Sequence, residues 1–572
     1  MHKILQGAKY SWYVPEIERS TIINIASSFN LSFPVANVLA SRGLTNREDI
    51  NDFLFATFNK NSMSLMKDAD KAVERILKAI KDKEKILIAG DYDVDGITSS
   101  AMMMHCLKLL GADVNFFLPN RVRDGYGLST KIVKKAAQSN YKVVITVDNG
   151  ITAFDPAKEA KKLGIDLIIT DHHKPHAEVP DAFAIVNPHQ KDCLYPYKDF
   201  AGVGVTFKVL SHLFEKSGQQ LPHKVYELLL LGTVADVVPL TGENRFWVRH
   251  GLNYVNKIES EAFKVLKQNG NLVKPAMKSL DIGFSIAPQI NALGRLDDPR
   301  DGVKFLIGSD QKETERIGNI LLELNQARKE IERAIIKEID ESIQSGKINL
   351  EKENVIMAAS DNWPPGVIGL VASRIVSAYG KPTLLFHLTK TGLAKGSCRS
   401  IPEFSIFDAL QSCEHLIEQF GGHAQAAGLS LKFENLPQLK KELEKRVSEL
   451  LTPEDLTQKI VLDAVASLSD INHKLVSDMA HLEPFGHCNS VPSFFFKDVV
   501  QVQKPTLLKD QHVKCQIFAD GVIKPVIFFY RPELYEWFLK QSEEPFNLAA
   551  QVSENHWNGR INIELLGLDV SL

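Results

Sequence analysis

From Lys85 to about Leu240 short apolar runs of strand length alternate with helix-length segments, which commits this stretch to a doubly wound α/β fold on a parallel sheet. The pattern predicts strands at Ile86–Ala89, Asn115–Leu118, Val143–Val147 and Leu167–Thr170, with helices at about Ile97–Leu110, Thr130–Ser139 and Pro156–Leu163. Their β-branched composition suits strands buried on both faces. Three of the runs lead straight into acidic residues: Asp91-Tyr92-Asp93-Val94-Asp95-Gly96, Asp148-Asn149-Gly150 and Asp171-His172-His173. Ligands bind outside the carboxyl ends of such strands, so five carboxylates and two histidines are expected at one rim. That much negative charge requires a positive partner, and a pair of divalent metal ions is the economical one. The pattern points to a metallo-hydrolase.

Each residue also has a plainer role. Asp93 or Asp95 could simply cap the helix that follows, but three Asp in five residues before Gly96 exceed what one cap needs. Asp148-Asn149-Gly150 is a good turn sequence; beside the other strand ends, Asp148 reads as a carboxylate bridging two ions. Of the adjacent histidines, one can ligate through neutral imidazole while its neighbour faces the substrate. Asp171 could orient a ligating ring, and Asp91 is expected in a similar supporting role. Asp236, inside the apolar run Leu231–Leu240, is costly there unless it is paired or on a metal. Ala201-Gly202-Val203-Gly204 begins like a dinucleotide loop, but Phe207 stands where the third glycine would be, and a tight loop is expected instead. Ser397 and Arg399 flank a Gly-rich turn and could grip a phosphate. His423, after two glycines, could do likewise or be a buried structural histidine.

At 572 residues several domains are expected. Residues 1–80 read as a polar, mostly helical lead-in and 81–305 as the α/β unit with the acidic rim. A long helix at about Gln311–Ile343 carries one apolar stripe and joins it, across 306–348, to a second α/β unit at 349–452. Short β runs over 453–572 suggest a small barrel of the OB type. A net charge of −3 gives no global basic field, although a basic groove can sit on a neutral molecule. The six cysteines form no CxxC pair, which fits a reducing cytoplasm, and no apolar run approaches a membrane span.

These segments resemble the DHH phosphoesterase superfamily, and within it the bacterial single-strand-specific 5′→3′ exonucleases. The resemblance rests on GDYDVDG (90–96), PNRVRDGYGLS (119–129), VDNGI (147–151), TDHHKP (170–175), AGVGV (201–205), TVADVVPL (233–240), PQINALGRL (288–296), LNQARKEIE (324–332), KGSCRS (395–400) and GGHAQAAG (421–428). It implies metal ligands at Asp93, Asp95, Asp148, His172 and Asp236, holding two Mn2+ or Mg2+ ions, with His173 facing the scissile phosphate. It implies a DHHA1 domain after the long helix, an OB-fold that holds single-stranded DNA, and substrate contacts from Arg121, Arg295, Ser397, Arg399 and His423. The partners implied are a single-strand-binding protein and a helicase, for a monomeric cytoplasmic enzyme of DNA recombination and repair. Two departures stand out. Ala89 occupies the place of a metal-binding His four residues before the first ligand, so that site is weaker or is completed by Asp91 or water. In PFGHCNSVP (484–492) Cys488 and Ser490 replace a Gly and a Pro, which is expected to loosen a turn. A small-nucleotide phosphodiesterase or pyrophosphatase would not need the terminal barrel, and an inactive scaffold would have lost ligands.

Overall fold

The computed structural model describes residues 2–55, 61–121, 123–308, 310–541, 544–557 and 560–572. The predicted parallel sheet forms from Lys85–Ala89, Val114–Phe117, Tyr141–Val147, Asp166–Thr170 and a short Ala184–Val186 strand. The Lys85 strand lies between those beginning at Val114 and Tyr141, and all pairings are parallel. The order of connection reverses beside the Lys85–Ala89 strand, second of the five, so its carboxyl end opens into a crevice. Ile86, Ile88, Val143, Ile145 and Ile168 are fully buried in the main core.

The long helix runs from Gln311 to Gln344. Ile317 and Leu321 enter the core of the first unit, whereas Ile335 and Ile339 pack with Ile356, Val367 and Leu385 of the second. One stripe therefore seals two cores. The second unit is a mixed sheet in the order Gln419–His423, Ala426–Lys432, Leu393–Arg399, Thr383–Leu388 and Ile356–Ser360. Lys395–Arg399, expected as a turn, is instead part of its central strand. Ala394 and Cys398 are buried while Lys395, Ser397 and Arg399 alternate on the other face, the period-two pattern of a strand.

The C-terminal barrel closes through Ser493–Gln501, His512–Ala519, Val522–Phe528, Arg560–Ser571 and Phe546–Trp557, the last returning to the first. A helix, Glu533–Lys540, sits between the third and fourth of these strands in chain order, which is OB-fold topology. Residues 1–80 are not a purely helical lead-in. They open with a hairpin, His2–Gln6 and Ser11–Pro15, whose second strand pairs with Lys459–Val461. Trp12 and Val14 alternate inward, and the Trp12 indole donates to buried Asp569 at 3.0 Å. The helices Arg19–Phe29, Phe33–Ser41 and Arg47–Phe55 share the barrel's core through Ile25, Val35, Leu39 and Ile50. No single helix among the described residues is long and apolar enough to cross a membrane.

The 484–492 turn is not loosened. Gly486 and Asn489 exchange backbone hydrogen bonds, and the buried Asn489 amide donates to the Leu482 and Pro484 carbonyls. The departure shows instead as backbone cost, because Cys488 is held at φ +58. That conformation costs a residue with a Cβ roughly 1 kcal/mol or more, and glycine far less. Cys488 is exposed, so little packing is lost on its removal. Cys488→Gly is therefore expected to raise the unfolding free energy by about 0.5–1 kcal/mol, measured by denaturant titration. A fall in stability would contradict this account.

Candidate active site

The Lys85–Ala89 strand leads through Gly90 to Asp91, and the next helix begins at Val94. Asp93 does cap that helix, accepting from Gly96 N at 3.1 Å. Asp95 does not cap its own helix. It is buried and accepts from Gly202 N at 2.6 Å and Val203 N at 2.8 Å. Those amides open the helix Gly202–Ser217, whose positive end thus faces a carboxylate. The Ala201–Gly204 segment is accordingly a helix N-terminus, not the tight loop expected. Gly202 is required by contact: a Cβ there would stand 2.5 Å from Asp148 Cβ and 2.6 Å from its Oδ1. Asp148 takes φ +60, so the turn reading and the cluster reading hold together.

His172 reaches the same point. Its Nε2 lies 3.2 Å from Asp148 Oδ1, 3.6 Å from Asp236 Oδ2 and 3.9 Å from Asp95 Oδ2. That Nε2 is buried with no hydrogen-bond partner, and it is the ring nitrogen that faces the carboxylates. Asp236 follows the helix Lys224–Ala235, placing a carboxylate at a helix's negative end. Asp171 accepts from the Ile151, His172 and His173 amides and binds His173 Nδ1 at 2.7 Å. The ring it orients is therefore His173, not the His172 ring expected to ligate.

Electrostatics sharpen the arrangement. Burial, then Asp93, pushes Asp95 up to about 7. Burial and Asp95 raise Asp148 well above the carboxylate range, and burial with the neighbouring aspartates does the same for Asp236 and Asp91. His172 is pulled down to about 4 by burial and then His173. For His173 burial opposes the charge, but the Asp171 hydrogen bond and the charges of Asp171, Asp95 and Asp93 together outweigh it and lift the ring to about 8. A metal fits this donor set on a direct observation: Asp91 Oδ1, Asp148 Oδ1, Asp236 Oδ2 and His172 Nε2 are buried with no hydrogen-bond partner. Each unsatisfied buried group of this kind costs about 1–3 kcal/mol. The donors form overlapping groups, each within 4.8 Å: Asp91, Asp93 and Asp148; Asp95, His172 and Asp236; Asp148, His172 and His173. Asp148 belongs to two of them, and Asp91 stands among the donors where Ala89 supplies none.

Four of the expected substrate residues meet across the cleft. Arg295 donates to Gly366 O at 2.8 Å, and Gly366 lies in the first turn of the helix Pro365–Tyr379. A Cβ at Gly369 in that helix would come within 2.8 Å of Ser397 Oγ and 3.2 Å of Arg399 Nη2. Arg399 donates to Ser397 Oγ at 3.2 Å. Arg121 lies over the Tyr92 ring at 4.3 Å. Burial, then the charge of Arg121, lowers Arg295 to about 10, and Arg328 and Arg399 add to it. Guanidinium groups held this close want an anion. His423 is not buried; it is exposed at the end of the edge strand Gln419–His423, in register with Ala426, which pairs with Arg399. The sequence reading missed Gly202, Gly366 and Gly369, which set these distances; only their place in GVG and PGVIG segments hinted at close approach.

The DHH family, N-terminal domain, matches residues 85–233, the DHHA1 domain 352–449 and the RecJ OB domain 462–569. The single-stranded-DNA-specific exonuclease RecJ of Bacillus subtilis (strain 168) is 34% identical over 574 residues, covering 99% of this chain and 71% of that protein. RecJ of Escherichia coli (strain K12) is 32% identical, covering 84% of this chain and 86% of its own length. Among solved structures, RecJ in complex with Mn2+ from Thermus thermophilus superposes with a TM-score of 0.84 at 26% identity, covering 98% of this chain and 79% of that one. A manganese-bound exonuclease RecJ gives a TM-score of 0.60 at 30% identity, covering 69% of this chain and 98% of that one. Matched over nearly its whole length in sequence and in fold, the chain belongs to the RecJ family of single-stranded-DNA-specific exonucleases.

Proposed function

We propose that this metal-dependent exonuclease of single-stranded DNA works from the 5′ end and releases mononucleotides, in recombination and repair. The observation that carries the metal chemistry is the convergence of unpartnered donor atoms on Asp91, Asp148, Asp236 and His172. Asp93, Asp95, Asp148, His172 and Asp236 would hold two divalent ions, Mn2+ or Mg2+, with Asp148 between them and Asp91 beside the first. Bound there, the ions would supply Lewis acidity at the scissile phosphate and activate water for attack. The residues do the rest. Asp171 fixes His173, whose ring would face the phosphate and the charge that grows on it in the transition state. Arg121, Arg295, Ser397 and Arg399 would hold the terminal 5′ phosphate across the cleft, which sets both polarity and product length. The OB barrel would hold the strand beyond, and a single-strand-binding protein and a helicase would supply it. All six cysteines stand free, in keeping with a reducing cytoplasm, where the enzyme would act as a monomer.

Digestion of 5′-labelled and 3′-labelled single strands, with Mn2+ or with excess EDTA, tests the reading. Label at the 5′ end should leave as a mononucleotide from the first time point, and EDTA should abolish release. In the same assay Arg399→Ala should depress cleavage of 5′-phosphorylated strands far more than of 5′-hydroxyl strands. Arg399→Lys should restore only part, because a point charge cannot reproduce the planar fork. An unchanged ratio between the two ends removes Arg399 from the site.

A further inference from the structure

The long helix Gln311–Gln344 buries one stripe along its length, and the middle of that stripe is polar. Ile317 and Leu321 serve the core of the first domain, and Ile335 and Ile339 that of the second. Between them the buried positions are Asn325, Arg328 and Glu332, in step with the apolar ones at helical spacing. Taking charges out of water is costly, and a buried ion pair adds little net stability over well-packed apolar side chains. An apolar stripe would therefore seal the gap between the two cores at least as well, and the triplet calls for a reason other than stability.

Its bonds supply one. Arg328 donates from Nη1 to Glu332 Oε2 at 2.8 Å, and from Nε and Nη2 to Asn325 Oδ1 at 3.2 and 3.0 Å. The other Glu332 oxygen takes Arg374, on the helix Pro365–Tyr379 of the second domain. One buried carboxylate thus clasps a guanidinium from each of two helices. The helix it grips is the spacer of the phosphate pocket. In its first turn the Gly366 carbonyl accepts from Arg295, and a Cβ on Gly366 would lie 2.6 Å from Arg295 O. One turn on, Gly369 lies against Ser397 and Arg399. Arg374 stands about 12 Å beyond Gly366 along the axis, at 1.5 Å per residue. Further along the long helix, the Trp363 indole donates to Glu338 Oε2 at 2.8 Å and the Tyr379 hydroxyl to Asp340 Oδ1 at 2.7 Å. Of these anchors Glu332 is the nearest along the helix to the first domain's core. Arg328 also lies close enough for its charge to help lower Arg295.

We propose that Glu332 is a positioning residue for the 5′ end of the strand. By holding Arg328 on its own helix and Arg374 on the facing one, it fixes the spacing between Arg295 on the first domain and Ser397 and Arg399 on the second. A terminal phosphate monoester needs donors from both sides at once, and the pocket closes on it only at that spacing. With the clasp released, the helices keep their apolar contacts but slide, as packed helices do, and the fork loses its fit. The proposal rests on the reading of Arg121, Arg295, Ser397 and Arg399 as the site of the 5′ phosphate.

Initial rates on 5′-phosphorylated and 5′-hydroxyl strands, across strand concentration and at saturating Mn2+, test it in the full chain. Wild type should favour the phosphorylated end. Glu332→Gln should shrink that preference by about tenfold or more, the scale of a small misplacement set from outside the reacting centre, with the change falling on KM for the phosphorylated strand. Glu332→Gln also leaves Arg328 buried without its counter-ion, which can weaken the fold. Arg374, whose side chain is 63% exposed, gives the variant that spares the core. Arg374→Ala should reproduce most of the loss with near wild-type thermal unfolding and a wild-type Mn2+ titration, and Arg374→Lys should restore part. The double variant should be no worse than Glu332→Gln alone, because both act through one contact. A merely structural ion pair would lower the unfolding temperature and leave the preference as it was. A wild-type preference in Arg374→Ala and in folded Glu332→Gln overturns the proposal and leaves the 5′ stop standing, as does an equal loss on both ends. A wild type indifferent to its 5′ group removes the stop, and the clasp's role with it.

Discussion

Asp148→Ala will lower turnover of single-stranded DNA by on the order of 10³-fold or more, the scale seen when one transition-state-stabilising group is removed. It should cost more than Asp93→Ala or Asp236→Ala, because Asp148 stands in two donor groups and each of the others in one. Its Oδ1 is also the carboxylate oxygen nearest His172 Nε2, at 3.2 Å. The fold should survive. Asp148 is buried, pushed well above the usual carboxylate range by desolvation and by Asp95, and its Oδ1 has no hydrogen-bond partner. Without metal it destabilises the folded state, so the metal-free variant should unfold at or above the wild-type temperature. With Mn2+ added, wild type should gain stability by ligand linkage and the variant much less. Initial rates and thermal unfolding with and without Mn2+ check both halves. A residual rate within about tenfold of wild type would remove the bridging role, since about 1.4 kcal/mol is too little for a ligand shared by two ions.

Most of the acidic rim was legible in the sequence because a parallel sheet converts chain order into position. Asp91, Asp148 and Asp171 each follow a β-branched run, and strand polarity alone brings them to one edge. Asp236 was legible for a different reason, as a charge inside an apolar run with no evident partner. The roles within the cluster were less so. Which imidazole Asp171 orients depends on backbone geometry after the strand, and the structure gives it to His173. The Lys395–Arg399 strand was misread because Gly396 and the flanking small residues resemble a turn, whereas a Cβ at Gly396 would press on Phe386 and Leu429 of the neighbouring strands. The N-terminal hairpin was hidden by its polarity: Trp12 and Val14 become core residues only once the barrel, more than 400 residues later, covers them.

The glycines that set interatomic distances were the least legible part, and Gly202→Ala is the sharpest probe of them. The added methyl would stand 2.5 Å from Asp148 Cβ and 2.8 Å from its Cα, contacts that no side-chain rotation relieves. Either the helix start at Gly202 retreats or Asp148 does. Retreat of the helix stretches the 2.6 Å bond from Gly202 N that holds Asp95, so both moves misplace a proposed ligand. Overpacking of this kind costs about 1–3 kcal/mol in stability. Disturbing the groups that orient ligands typically costs about 10–100-fold in metal affinity or activity. Gly202→Ala is therefore expected to weaken Mn2+ binding by at least about tenfold, with turnover falling further at limiting metal and partly recovering at high Mn2+. Gly204→Ala provides the contrast, because its methyl would meet the Phe200 ring at 3.0 Å and no donor atom. It should lower the unfolding temperature while leaving the Mn2+ titration at its wild-type midpoint. Calorimetric titration of the two variants separates a packing defect from a displaced ligand. If Gly202→Ala takes up Mn2+ with wild-type affinity, the close approach at Asp148 does not shape the metal site.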